Sequence, residues 1–523
     1  MQKQIIFILF LFFINYYSLA QCIDTLYINQ LENKIEASEK AGEMNSLVHY
    51  IYLRAACWQE VDSLEHWVKM YTNLAYSTRR NHALSMQCLD TIFVHPAYRE
   101  PLTIAEKKAI VRAYVVKGYL QNQKSRYIEA TETYQKALAE YEKYQFNAKN
   151  FAIAHESIYP PLGNNYTRLG DNEKARNILT KALAAAQQVN DYETIAGSYL
   201  NIGKTHWNEG NNEIALAEYE KGLAVGSISP YRKAMLFVQM AVSYHEMNNN
   251  EDALRAANKT LQHCSLSTDR ETPIVLAAMN ETRSSIAIDK QDYNKAQNYI
   301  KKAIKIKQDI YGENTREFGK TQIQQARIFT AKGKYREATE AANRALVAVL
   351  PTFNPQKISD LPSEDLFYDE NTIFEALSEK ADAMEAWYHS TNNIDHLKTA
   401  LAAHELALKS EYQLRSAYQY ESSKLYLQSY TRKRTEKAIE IAYLLYQKKY
   451  DEQYINRAFR LSESSRAVLL LESIAQNFIR QKRADDSLFI LENDLRRKQI
   501  YHLKQILTSS DSATIARHKK DKL

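Results

Sequence analysis

Helix breakers are scarce in this sequence. Its 523 residues include 12 glycines and 9 prolines, both well below usual frequencies. With 45% apolar residues, the chain therefore reads as almost entirely helical, and a fold built on frequent tight turns is excluded. Cysteine is scarce too: Cys22, Cys57, Cys88 and Cys264 include no pair at metal-binding spacing such as C-x-x-C. Charge of one sign is not concentrated. The 68 basic and 62 acidic residues leave a net +6 with no basic block, so nucleic-acid binding is not indicated.

Catalytic and cofactor motifs are missing or incomplete. No G-x-S-x-G or G-x-G-x-x-G occurs. Gly203-Lys204-Thr205 and Gly319-Lys320-Thr321 resemble the end of a phosphate loop, but Ser198 and Asn314 stand where its earlier glycine is required. His155-Glu156, His245-Glu246 and His404-Glu405 begin like a zinc-protease helix. Tyr159, Asn249 and Leu408 occupy the place of the second histidine, so these read as surface His–Glu pairs. No catalytic residue, cofactor site or metal site is expected.

What is present is a period. Ala130, Ala175, Ala215, Ala253, Ala296 and Ala338 recur at steps of 45, 40, 38, 43 and 42 residues. Twelve residues before each lies Gly118, Gly163, Gly203, Ala241, Ser284 or Ala326, and seven after each lies Ala137, Ala182, Gly222, Thr260, Ala303 or Ala345. Such a period marks stacked supersecondary units, each a helix, a polar turn and a second helix. The turns are Leu169-Gly170-Asp171-Asn172, Glu209-Gly210-Asn211-Asn212, Met247-Asn248-Asn249-Asn250 and Lys332-Gly333-Lys334-Tyr335, where Gly or Asn suits a left-handed helix end. Small residues let the two helices cross closely, Gly163 against Ala175, and bulky Tyr166, Leu179, Tyr219 and Phe329 fill the space beside the crossing. This alternation of small and large resembles the tetratricopeptide repeat, with units longer than its familiar 34 residues. The resemblance implies an all-α fold: a right-handed α-solenoid of tetratricopeptide-like helical hairpins with a C-terminal helical extension.

Around the array the sequence divides further. Residues 1–20 read as a secretory signal peptide: Lys3, ten apolar residues from Ile5 to Ile14, then Ser18-Leu19-Ala20. Cleavage is expected before Gln21, giving an exported chain, periplasmic or extracellular. Leu19-Ala20-Gln21-Cys22 approaches a lipobox, with Gln21 the wrong residue, so lipid anchoring at Cys22 is the weaker alternative. Residues 21–105 form an N-terminal helical region, in which Cys57 and Cys88 either pair or remain buried thiols. Residues 106–350 hold the repeats. Residues 351–370, with three prolines, read as a linker. Residues 371–480 form a C-terminal repeat segment, and 481–523 a polar helix and a tail that frays. No transmembrane helix is expected in the mature chain.

Ala458-Phe459, Leu461, Glu463, Ser465-Arg466-Ala467, Leu470 and Leu471-Glu472 carry a second resemblance. They look like the segment that closes the repeat array just upstream of the CHAT domain in bacterial repeat-CHAT proteins. In that family a caspase-like domain with a His and a Cys nucleophile follows. Here no strand-rich segment follows residue 480 and no cysteine follows Cys264, so the family's catalytic residues carry over to no position.

In stacked helical hairpins the first helices line a concave groove. Positions one, four and five after the crossing residue face it. These are Asn164, Thr167 and Arg168, then Lys204, Trp207 and Asn208, then Val242, His245 and Glu246, with Tyr119, Asn122 and Arg327 as equivalents elsewhere. The candidate binding residues are Tyr119, Asn122, Asn164, Arg168, Lys204, Trp207, Asn208, His245 and Arg327. Amides suit a peptide backbone and cations its carboxylates. The expected function is a non-enzymatic scaffold holding a protein or peptide in the groove. The alternative is the recognition half of a CHAT-type cysteine peptidase, its catalytic domain downstream or lost.

Overall fold

The structure, a computed structural model, describes residues 64–77, 82–93, 102–124, 126–418 and 421–465, with isolated positions in 30–53 and 491–495. The signal peptide, Cys22, Cys57, Arg466 onward in the closing segment and the polar tail lie outside that description. Every described element is a helix and, among the described residues, there is no strand. No helix there is long and apolar enough to cross a membrane.

The chain forms two compact units, Met1–Phe318 and Gly319–Leu523. The first holds α1 (Leu64–Ser77), α2 (His82–Ile92), α3 (Ile104–Gln123), α4 (Tyr127–Lys143), α5 (Tyr159–Leu169), α6 (Asn172–Gln187), α7 (Tyr192–Asn208), α8 (Asn212–Ala224), α9 (Pro230–Glu246), α10 (Asn250–Leu266), α11 (Thr272–Asp289) and α12 (Tyr293–Tyr311). From α3 onward they pair as successive helical hairpins, each also packing on the next. The division falls inside α13 (Arg316–Ala331). The second unit continues with α14 (Tyr335–Val349), α15 (Asn371–Thr391), α16 (Ile394–Ala417), α17 (Glu421–Lys449) and α18 (Glu452–Ser465).

The repeat follows from two local rules. First, a residue with left-handed backbone stands five positions before each of five marker alanines: Gly170 (φ 87°), Gly210 (77°), Asn248 (58°), Gln291 (57°) and Gly333 (68°). That residue ends the first helix and turns the chain into the second. Second, glycine on the first helix faces a bulky residue on the second. A Cβ on Gly118 would lie 2.9 Å from the Tyr134 ring, one on Gly163 2.6 Å from Leu179, and one on Gly203 2.3 Å from Tyr219. The close neighbour is thus sixteen residues on, not the marker alanine twelve on. Helical side chains lean toward the N-terminus, so a residue covers the surface one turn before its own Cα. Where the first position is Ala241 or Ala326, the sixteenth is Ala257 or Ala342, and all four are fully buried.

The proline-containing segment 351–370 lies within the second unit and is packed. Phe353 and Phe367 are buried with Ile373 and Phe374. The fully buried Lys380 of α15 donates to Asn343 Oδ1 at 2.7 Å and to the Asp360 carbonyl, tying the segment between α14 and α15.

Candidate functional site

Three successive first helices of the N-terminal unit each bring a cation to one region. Arg168 ends α5, Lys204 lies in α7 and Arg232 opens α9. Arg168 is the most engaged. Its guanidinium sits 4.6 Å from the Tyr127 ring centre, and its Nη1 donates to Glu317 Oε1 at 2.6 Å. The Tyr127 hydroxyl donates to the same oxygen at 2.5 Å. Burial pushes the Tyr127 phenol up to about 12, so it remains a donor. Burial also opposes ionisation of Glu317, but Arg168 and Arg316 override it and hold its carboxyl at about 2. Residues 149 positions apart in sequence are thereby joined.

Arg232 pairs with Glu193, Nε to Oε2 at 3.4 Å. Lys204 is different. It is half-buried, and among the described residues it has no ion pair. Burial first, then the positive charges of Arg168 and Arg232, lower its amine to about 8. Its charge is thus desolvated and repelled by like charges, with no carboxylate among the described residues paired to it to offset either effect.

The other expected groove residues divide by what they touch. Tyr119 is packed beside the core of α1–α3, its ring 6.2 Å from that of Tyr76. Asn122 Oδ1 accepts from Asn165 Nδ2 at 3.0 Å, linking two repeats. Asn208 Nδ2 donates to the Thr167 carbonyl and to Asn172 Oδ1, both at 3.1 Å, linking two more. Trp207 packs against the core of α7–α11, and Asn164 is half-buried. His245 Nε2 lies 2.8 Å from Asp289 Oδ2. Arg327, in the second unit, binds Glu379 Oε2 through Nε at 2.8 Å. Of the nominated residues, Arg168 and Lys204 come together; Glu317 and Arg232 join them without having been nominated.

Residues 156–227 and 277–310 each match the tetratricopeptide repeat. The chain carries tetratricopeptide repeats. Solved structures similar to it include the apo form of RapI, at 13% identity and TM-score 0.43, covering 75% of this chain and 99% of that one. BtubC from P. vanneervenii matches at 16% identity and TM-score 0.30, covering 46% of this chain and 90% of that one. No curated protein matches the sequence. Tetratricopeptide repeats point to a protein-interaction scaffold rather than a catalyst.

Two histidines depart from expectation. His155 and His404 are each 1% exposed, not surface partners of the glutamates that follow them. Burial pushes His404 down to about 4, so it stays neutral at physiological pH, with Asp382 Oδ1 3.8 Å away. Both fall on helix faces turned inward, which a two-residue motif does not reveal. Cys88 and Cys264 are buried free thiols, and burial raises Cys88 to about 11. An open cavity of about 420 Å³ lies among α10, α11 and α12, lined by Leu261, Met279, Arg283 and Lys302 among others. None of the nominated groove residues lines it.

Proposed function

We propose that this chain is an exported scaffold that binds an acidic segment of a partner protein on the first-helix face of its N-terminal unit, without catalysis of its own. Lys204 carries the reading. An unpaired, partly desolvated amine between two guanidinium groups leaves a local excess of positive charge. A ligand carboxylate placed there would restore the ordinary lysine pKa and form a charge-assisted hydrogen bond. Asn164, half-buried on the same face one repeat earlier, is placed to meet a peptide backbone. Glu317 already occupies Arg168, so Lys204 is the primary contact and Arg168 supports it by charge.

The sign of the pH dependence follows. Lys204 loses its proton as pH rises through about 8, so affinity for an acidic segment is highest below that value and declines above it. Fluorescence anisotropy of a labelled glutamate-rich peptide with the full chain tests this. Saturable binding that weakens with salt, and at least about tenfold in Lys204→Glu, is the expected result. Equal binding by wild type and Lys204→Glu, with unchanged helicity, refutes it.

Export rests on the apolar segment Ile5–Ile14 and the small residues before Gln21. N-terminal sequencing of the cell-envelope protein tests it: a chain beginning at Gln21 is expected, and one retaining Met1 contradicts it. The resemblance of Ala458–Glu472 to the segment that precedes CHAT domains favours a second reading, a recognition half serving a CHAT-type cysteine peptidase. The reading frame beyond Leu523 separates the two. A strand-rich segment with His and Cys supports the peptidase.

A further inference from the structure

The first helix of the second repeat opens irregularly. Pro160 and Pro161 have no N–H to donate, so the carbonyls of Glu156 and Ser157 lose their α-helical partners. The chain answers with a π-turn over Ala154–Ile158, closed by the Tyr159 N–H on the Ala154 carbonyl. This wider turn carries His155 inward, where it is 1% exposed, and leaves Glu156 at the surface.

One repeat later, Asp191 caps α7. Its Oδ1 accepts from the Thr194 N–H at 3.1 Å, which leaves Oδ2 facing His155 Nε2 at 3.6 Å. That separation is too long for a hydrogen bond. The other ring nitrogen, Nδ1, is buried with no hydrogen-bond partner. A buried imidazole therefore points at two carboxylates while using neither nitrogen in a hydrogen bond. The ligand atoms of His155, Glu156 and Asp191 lie within 4.8 Å of one another. Metal–ligand bonds of about 2.0–2.2 Å place two ligand atoms on one ion roughly 3–4 Å apart. His155 Nε2 and Asp191 Oδ2 already have that spacing, and a rotation of the exposed Glu156 side chain completes the set.

We propose that His155, Glu156 and Asp191 form a binding site for a divalent transition-metal ion, Zn²⁺ above all. One imidazole and two carboxylates suit a borderline cation, and three protein ligands leave a fourth position open on the exposed side. His155 and Glu156 precede one first helix and Asp191 caps the next, so the ion fastens the start of the second repeat to the start of the third.

Chelator-stripped full-length protein is titrated with Zn²⁺ by calorimetry and with Co²⁺ by visible absorption. Asp191→Asn and Glu156→Gln are the test variants. Asparagine still caps a helix, and Glu156 is exposed, so neither change threatens the fold. The expected result is one Zn²⁺ whose affinity falls at least about tenfold in each variant, with loss of the Co²⁺ band. Failure of the wild type to bind either ion, or equal binding by wild type and both variants, overturns the site.

Discussion

Single residues set the spacing of these repeats. Gly203 lets α7 approach Tyr219 so closely that a Cβ would lie 2.3 Å from the ring. Gly203→Ala is therefore expected to destabilise the first unit by about 1–3 kcal/mol through overpacking. Ala241, at the same place two helices on, already carries a Cβ that is fully buried, so Ala241→Gly loses that methyl and adds backbone freedom, at a cost of about 1–2 kcal/mol. Urea denaturation checks both; an unchanged midpoint in Gly203→Ala would mean the glycine is not a contact point. Gln291 gives a prediction of opposite sign. It holds φ 57° where other repeats use glycine or asparagine. Gln291→Gly should stabilise by about 0.5–1 kcal/mol, seen as a raised denaturation midpoint. The glycine and asparagine turns were legible in sequence because those residues favour left-handed backbone. The Gln291 turn was not, since glutamine carries no such preference. Likewise Gly163 was legible as a crossing point, but its neighbour was misplaced by one turn because helical side chains lean backward.

Among elements, the segment 351–370 shows how a single buried cation organises a loop. Its prolines suggested a joint between two bodies. The fully buried Lys380, with Phe353 and Phe367, instead fixes it within one unit. Burial lowers Lys380 to about 7, below its unfolded value of roughly 10.4. The unfolded chain therefore binds more protons between those two values, and stability rises with pH across that window. Lys204 adds a smaller contribution of the same sign above about 8. Lys380→Met should flatten the rise in thermal midpoint between about pH 7 and pH 10; an unchanged slope would show that the amine does not titrate in the fold. Sequence could not single out Lys380, because nothing local distinguishes a lysine that will be buried by a loop twenty residues before it.

For the whole molecule, the array explains why binding side chains are few. Asn122 and Asn208 spend their amides joining one repeat to the next, and Arg327 and His245 spend their charges on Glu379 and Asp289. Sequence placed these residues on the first helices but could not say which partners the stacking would supply. Glu317 and Asp191 escaped notice for the same reason: the first meets Arg168 across 149 positions, and the second reaches His155 from a helix cap. Lys204 is left with a charge that nothing in the described chain answers. The most direct test is a pulldown from the native envelope fraction with residues 21–523, run beside Lys204→Glu and Arg168→Glu. An acidic partner that is retained by the wild type, lost from Lys204→Glu and weakened in Arg168→Glu is the predicted result. Retention of every partner by both variants would contradict the assignment of the binding face.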